Sequence, residues 1–189
     1  MQKLAFPNLH ADELLTEAMY HRHLEIFPDG QFVALDGDRP AGSTTTLRVD
    51  YDFSLPDRKF MDMIDGGWLG THQPDGEWLY GADVMVHPEY RRRGIARQLY
   101  EARAALVRRL GLRGQVAAGM IPGYHRYADQ QTVEEYSAKV VAGELTDPTL
   151  SAQLKIGFRF VRVIHDYLHD PTSGNASALI VWDNDQLTR

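Results

Sequence analysis

The stretch of this chain best equipped for chemistry runs from Val84 to Leu99, "VMVHPEYRRRGIARQL". An apolar run ends at His87 and Pro88, three arginines follow (Arg91, Arg92 and Arg93), and Gly94 stands where a helical pattern begins. At such a junction the first N–H groups of a helix lack intrahelical partners and point outward, so the turn can hold an anion. Gly94 has no side chain to obstruct a close approach, Ala96 keeps the next turn narrow, and the helix macrodipole adds partial positive charge at the same place. The arginines contribute long-range attraction and hydrogen bonds to phosphate oxygens. A phosphate-bearing ligand, a pyrophosphate in particular, suits this nest. The plain alternative is a solvated arginine turn.

The elements around the turn have to hold it in place. After it, Ile95, Leu99, Ala102, Leu106 and Leu110 recur at helical spacing, with arginines and glutamate on the other faces, and Gly111 stops the run. Before it, "WLYGADVMVHP" alternates Trp78, Tyr80, Ala82, Val84 and Val86 against Leu79, Gly81, Asp83, Met85 and His87, which predicts one central strand ending at Pro88. "QVAAGMIP" reads as a short apolar strand. Strand, helix, strand in that order predicts a right-handed crossover and parallel pairing of the two strands.

The rest of the chain reads as a frame for this unit. A helix is expected from Asp12, as cap, to Phe27, stopped by Pro28-Asp29-Gly30, and a hairpin over 31–49 turns at Asp36-Gly37-Asp38-Arg39. From Asp50 to Glu77 a long loop carries a short helix around Lys59 to Ile64. Residues 122–147 read as a helical insertion whose apolar stripe is Val133, Tyr136, Val140 and Val141. A helix from Pro148 to Ile156 ends at Gly157, and two closing strands, "FRFVRVIHDYL" and "SALIVWD", are joined by "HDPTSGNA". The last strand is expected to be exposed and able to pair with a second chain, giving a homodimer.

The run Val84 to Ala96 resembles the acetyl-CoA signature of the GNAT superfamily of N-acetyltransferases, and "SAQLKIGF" is similar to its later helix ending in Gly-Phe. The resemblance follows the element order from Gln31 to Asp183. It implies one α/β domain over residues 1–189, with a mixed, mostly antiparallel sheet flanked by helices and splayed open at a central parallel pair. It implies acetyl-CoA as acyl donor, with Val84, Met85 and Val86 on the pantetheine, Arg91 to Ala96, Ile95 included, on the pyrophosphate, and Gln153 also among the cofactor-binding residues. It also implies direct attack by an amine in a ternary complex. Two departures stand out: Gln153 occupies the position where many members carry the tyrosine that protonates the leaving thiolate, and the opening strand rich in arginine and threonine is missing.

An alkylammonium acceptor must lose a proton before it attacks, and a carboxylate is the natural acceptor of that proton. Asp83 is the first candidate, because a charge inside an apolar strand is costly unless it is used or paired. Its plain alternative is a structural aspartate bonded to main-chain amides, and Glu77 is the second candidate. For the missing proton donor, water can serve, since a thiol is already a fair leaving group, or a tyrosine from the insertion, with Tyr124 as the candidate. His72, His125 and Tyr127 are expected to line the acceptor pocket, with Trp68 as its cap, since loops at strand ends carry specificity.

Composition sets the outer limits. The chain has 189 residues, a formal net charge of −6 and no cysteine, so thiolate nucleophiles, disulfides and thiolate metal sites are excluded. The acidic balance argues against a nucleic-acid partner. No secretory pattern or eighteen-residue apolar run is present, so a cytoplasmic protein off the membrane is expected. No metal-ligand spacing occurs, so no metal is expected. Two rivals remain: a non-catalytic CoA-binding or regulatory module, and a nucleotide-binding protein, which lacks the usual glycine-rich phosphate patterns.

Overall fold

The computed structural model describes residues 1–186. Its sheet has seven strands in the order β1-β2-β3-β5-β7-β6, with β4 attached separately to β2. These are β1 (Gln31–Asp36), β2 (Arg39–Val49), β3 (Trp78–Gly81), β4 (Met85–Val86), β5 (Gly114–Met120), β6 (Arg159–Ile164) and β7 (Ser177–Asp183). Only β3 and β5 run parallel, with Trp78 opposite Gly114 and Gly81 opposite Ala117; every other pairing is antiparallel. The helices are α1 (Gln2–Ala5), α2 (Glu17–Ile26), α3 (Phe60–Met63), α4 (Ile95–Leu110), α5 (Val133–Val141) and α6 (Leu150–Ile156). No helix among the described residues is long and apolar enough to cross a membrane.

The expected central strand is broken. Thr46 pairs with Gly81 and Ser43 with Met85, so three residues, Ala82 to Val84, face the two residues Thr44 and Thr45. This is a β-bulge, which bends the strand that carries the extra residue. Asp83 sits in it. Its Oδ1 accepts from the Thr45 N–H at 2.8 Å and its carbonyl from Thr44 Oγ1, so the side chain replaces a ladder bond. Past Gly81 the chain leaves β5 and follows β2, while Ala118 to Met120 stay paired with β7 alone. The sheet therefore opens between β4 and β5, and Ala82, Val84 and Val86 no longer continue the face of Trp78 and Tyr80.

Several expectations are corrected. β7 is not an exposed tail: it lies between β5 and β6, and Ser177 to Val181 are buried, so it has no free edge for a second chain. The first long helix starts four residues later than expected. Thr16 caps it through Oγ1 to the Met19 N–H (3.3 Å), while Ala11–Glu13 form a separate 3-10 turn and the Leu15 N–H is taken by Gln2 Oε1 at 2.7 Å. In α5 the buried stripe is Val133, Tyr136 and Val140, and Val141 is exposed. No strand precedes Gln31 among the described residues; the chain opens with α1. α4 caps at both ends with glycine, Gly94 at φ 82° and Gly111 at φ 64°, as its sequence pattern predicts.

Candidate functional site at the opening of the sheet

Two connected hollows occupy the gap between β4 and β5. The outer one is a groove with Val84, Met85 and Val86 on one wall, Met120 and Pro122 on the other, and Arg91, Arg92, Gly94, Ile95 and Ala96 at its end. At that end Arg92 (φ 62°) and Gly94 (φ 82°) both have left-handed backbone. An arginine in that region costs roughly 1–2 kcal/mol, and strain of this sort gathers at ligand sites. Gly94 gives no side-chain cap to the first turn of α4, so its N–H groups are left for a ligand. These are features that fit a pyrophosphate. The segment Ala5 to Leu9 roofs the groove, tied to the turn by Arg91 Nη2 donating to the Ala5 carbonyl at 3.1 Å. Arg93 turns away and stacks its guanidinium 5.1 Å from the Tyr90 ring centre.

The inner cavity shares Phe6, Leu9, Val84, Met120 and Thr149 with the groove and extends beneath the sheet opening. Its polar lining includes Asp83 from the bulge, Tyr100 and Arg103 from α4, and Gln153 from α6, together with Gln2, Thr149 and Tyr167. The two parallel strands make room for them. A methyl group at Gly81 of β3 would collide with the Arg103 guanidinium, and one at Gly119 of β5 would lie 2.5 Å from Gln153 Oε1. Gln153 Nε2 donates to the Tyr100 hydroxyl at 3.0 Å, which leaves the hydroxyl proton free to be donated elsewhere. Burial pushes the Asp83 carboxyl up to about 7, although the Thr45 N–H and Arg103 favour its charged form. Its Oδ2 has no hydrogen-bond partner among the described residues.

Other residues expected at the site lie elsewhere. His72 stacks on Phe27, its Nδ1 accepts from the Arg48 N–H at 3.1 Å, and it lines a separate cleft with Val49 and Asp50. The Tyr124 hydroxyl donates to the Gln131 carbonyl at 3.2 Å, and Tyr124 and Tyr127 both pack on Tyr136. His125 Nδ1 is 2.6 Å from the Pro122 carbonyl. None of these four borders either hollow. The insertion turns its aromatic residues inward because Tyr136 and the Gly123 N–H both bond to the buried Asp147, which ties the segment to α6. Trp68 is exposed away from the cavity, and Glu77 pairs with Arg113 at 3.2 Å outside it.

Among the residues that sequence reasoning missed are Tyr100, Arg103, Tyr167 and the roof formed by Phe6 and Leu9. A signal for Arg103 existed: it stands four residues after Leu99 and three before Leu106, on the apolar stripe rather than on the faces given to the other arginines. Phe6 and Leu9 sit in an aperiodic segment and gave no signal. Among the described residues no group of histidine, aspartate or glutamate is arranged to hold a metal ion.

The model of the acetyltransferase (GNAT) family matches residues 2–127. The chain belongs to the GNAT acetyltransferase family. It is 34% identical over 185 residues to the uncharacterized N-acetyltransferase YkwB of Bacillus subtilis (strain 168), a match covering 97% of this chain and 82% of that one. It is 42% identical over 163 residues, 86% of its length, to the probable hydrolase YhcX of the same organism. The match spans only 32% of that larger relative. Among solved structures, the GphF GNAT-like decarboxylase in complex with isobutyryl-CoA superimposes with a TM-score of 0.78, covering 95% of this chain and 91% of that one. At 23% identity that likeness establishes the GNAT fold and nothing finer.

Proposed function

We propose that the protein moves an acetyl group from acetyl-CoA to a small amine or amino-terminal acceptor by direct attack within a ternary complex. The observation that carries this is the opening of the sheet at the Asp83 bulge, which leaves the Val84 to Val86 main chain beside a groove that ends at the uncapped start of α4. A pantetheine arm can pair with such a strand, while the diphosphate takes the first-turn N–H groups together with Arg91 and Arg92.

In this reading the amine nitrogen attacks the thioester carbonyl carbon in the inner cavity and the carbon–sulfur bond breaks. The sulfur takes the Tyr100 proton, and the proton lost by the amine goes to Asp83. A carboxyl held near 7 is divided between acid and base forms at neutral pH, which suits a general base. Tyr100 supplies from α4 the hydroxyl that Gln153 cannot supply from α6, and the Gln153 amide orients it. Thiol release from acetyl-CoA across a panel of amines, paired with calorimetric CoA binding, tests the proposal. Amine-dependent thiol is expected; CoA binding without it would leave a binding module, and displacement of CoA by ATP or NADH would favour the nucleotide reading.

A further inference from the structure

Arg103, 1% exposed, is the largest fully buried side chain among the described residues, yet it lacks the partners that a buried cation requires. Nε and Nη2 are enclosed and make no hydrogen bond among the described residues. The neighbouring charge is Asp83, whose Oδ2 is likewise unbonded and whose carboxyl is divided between its neutral and charged forms near pH 7. The aromatic neighbour is Tyr100, with its ring centre 5.1 Å from the guanidinium carbon. Burying a guanidinium in this way is costly unless a counter-ion arrives, and replacing such a group by an apolar side chain is often neutral or stabilising. The chain has nonetheless kept Gly81 bare on β3, where any side chain would drive the guanidinium out. The cavity around it is otherwise lined mainly by small or apolar residues such as Ala82, Ala117, Gly119 and Leu168.

We propose that the inner cavity binds a carboxylate carried by one of the two reactants, with Arg103 as its counter-ion. The planar fork of an arginine matches a carboxylate bidentately, which a point-charge ammonium would not do. The phosphates of the donor are not the anion in question, because their turn lies at the opposite end of the groove, which joins the cavity at Val84 and Met120. The carboxylate comes either from a dicarboxylic acyl group on CoA or from the amine, as in an amino acid or a chain terminus. The inference rests on the acyltransferase reading for where the thioester lies.

The test uses the full chain. In the donor arm, calorimetry compares succinyl-CoA and malonyl-CoA with butyryl-CoA and acetyl-CoA. In the acceptor arm, thiol release compares free amino acids with their amides. One arm should favour the carboxylate by about 10- to 100-fold, the scale of one or two charge-assisted hydrogen bonds. Arg103→Met should erase that preference while the apo Tm stays equal or rises, as expected when a buried unpaired charge is removed. Arg103→Lys should keep part of it. Equal treatment of acid and neutral forms in both arms of the unaltered protein would overturn the inference with no variant needed. A preference surviving in Arg103→Met would overturn it too, and so would a large fall in apo Tm in that variant, which would mark Arg103 as a structural partner of Asp83. Tight CoA binding beside a missing preference sinks only this inference; failure to bind any CoA sinks the acyltransferase reading beneath it.

Discussion

The groove end and the inner cavity are built in opposite ways. The groove end is a continuous piece of chain, Arg91 to Ala96, built from left-handed backbone at Arg92 and Gly94 and from the uncapped N–H groups of the first turn of α4. The cavity takes single side chains from separate elements: Tyr100 and Arg103 from α4 and Gln153 from α6, all buried, and Asp83 from the bulge, part-buried with its Oδ2 enclosed. A site made from backbone on neighbouring residues tolerates changes around it and recognises a feature common to all donors. A site assembled from distant side chains is sensitive to each contributor, and it is where discrimination between reactants belongs.

The sharpest way to break this division is Asp83→Asn, which keeps the Oδ1 acceptor for Thr45 but removes the base. Turnover at neutral pH should fall on the order of 100-fold or more with CoA affinity kept, as read from kcat against calorimetric Kd. Turnover in the unaltered protein should rise between pH 6 and 8 as Asp83 loses its proton, and the variant should lose that rise. Stability carries the linked sign. With the folded pKa raised to about 7 from the usual carboxylate value, the folded chain holds a proton that the unfolded chain releases. This contribution is fully present below the unfolded pKa and is lost as pH rises to about 7, so Tm should decline more over that window in the unaltered protein than in Asp83→Asn.

Next in size is Gly94→Val. The space around Gly94 is open, so the damage comes from φ 82° and from the blocked approach to the N–H groups. Loss of two charge-assisted bonds to the diphosphate predicts about 100-fold weaker CoA binding, measured by calorimetry, with Tm lowered only a few degrees.

Gly81→Ala probes the cavity from the strand side. Overpacking against Arg103 should cost about 1–3 kcal/mol, read as a Tm drop of roughly 2–12 °C. A normal Tm would show that the guanidinium moves freely and that the cavity is less fixed than described. The smallest effect is expected at His125→Ala. Its exposed side chain lies against the Pro122 carbonyl and borders neither hollow, so stability and turnover should stay within about 0.5 kcal/mol of the parent. A large change in acceptor KM there would return the 122–127 turn to the acceptor site.

Much of the frame was legible in the residues. The period of α4, its glycine caps, the hairpin at Asp36 to Arg39 and the parallel crossover all follow from local patterns that the structure keeps. The readings that failed share a cause. "SALIVWD" looks the same as an edge or an interior strand, because alternation and β propensity do not say how many neighbours a strand has. Asp83 was visible as an odd charge, but that it inserts a bulge depends on the register against Thr44 and Thr45. Tyr124, His125 and Tyr127 follow a strand in the sequence, but where their turn packs is decided by Asp147 and Tyr136, which hold it against the insertion.

By itself the sequence determined the left-handed glycine turn at Gly94 and the helix behind it, because glycine backbone and unpaired N–H groups arise among consecutive residues. Only the tertiary structure decided where the sheet opens, that the segment Ala5 to Leu9 roofs the groove, and that Arg103 lies buried near Asp83. Those are contacts between residues far apart in the chain. They depend on register and on the volume left free by Gly81 and Gly119, quantities fixed only when the strands meet.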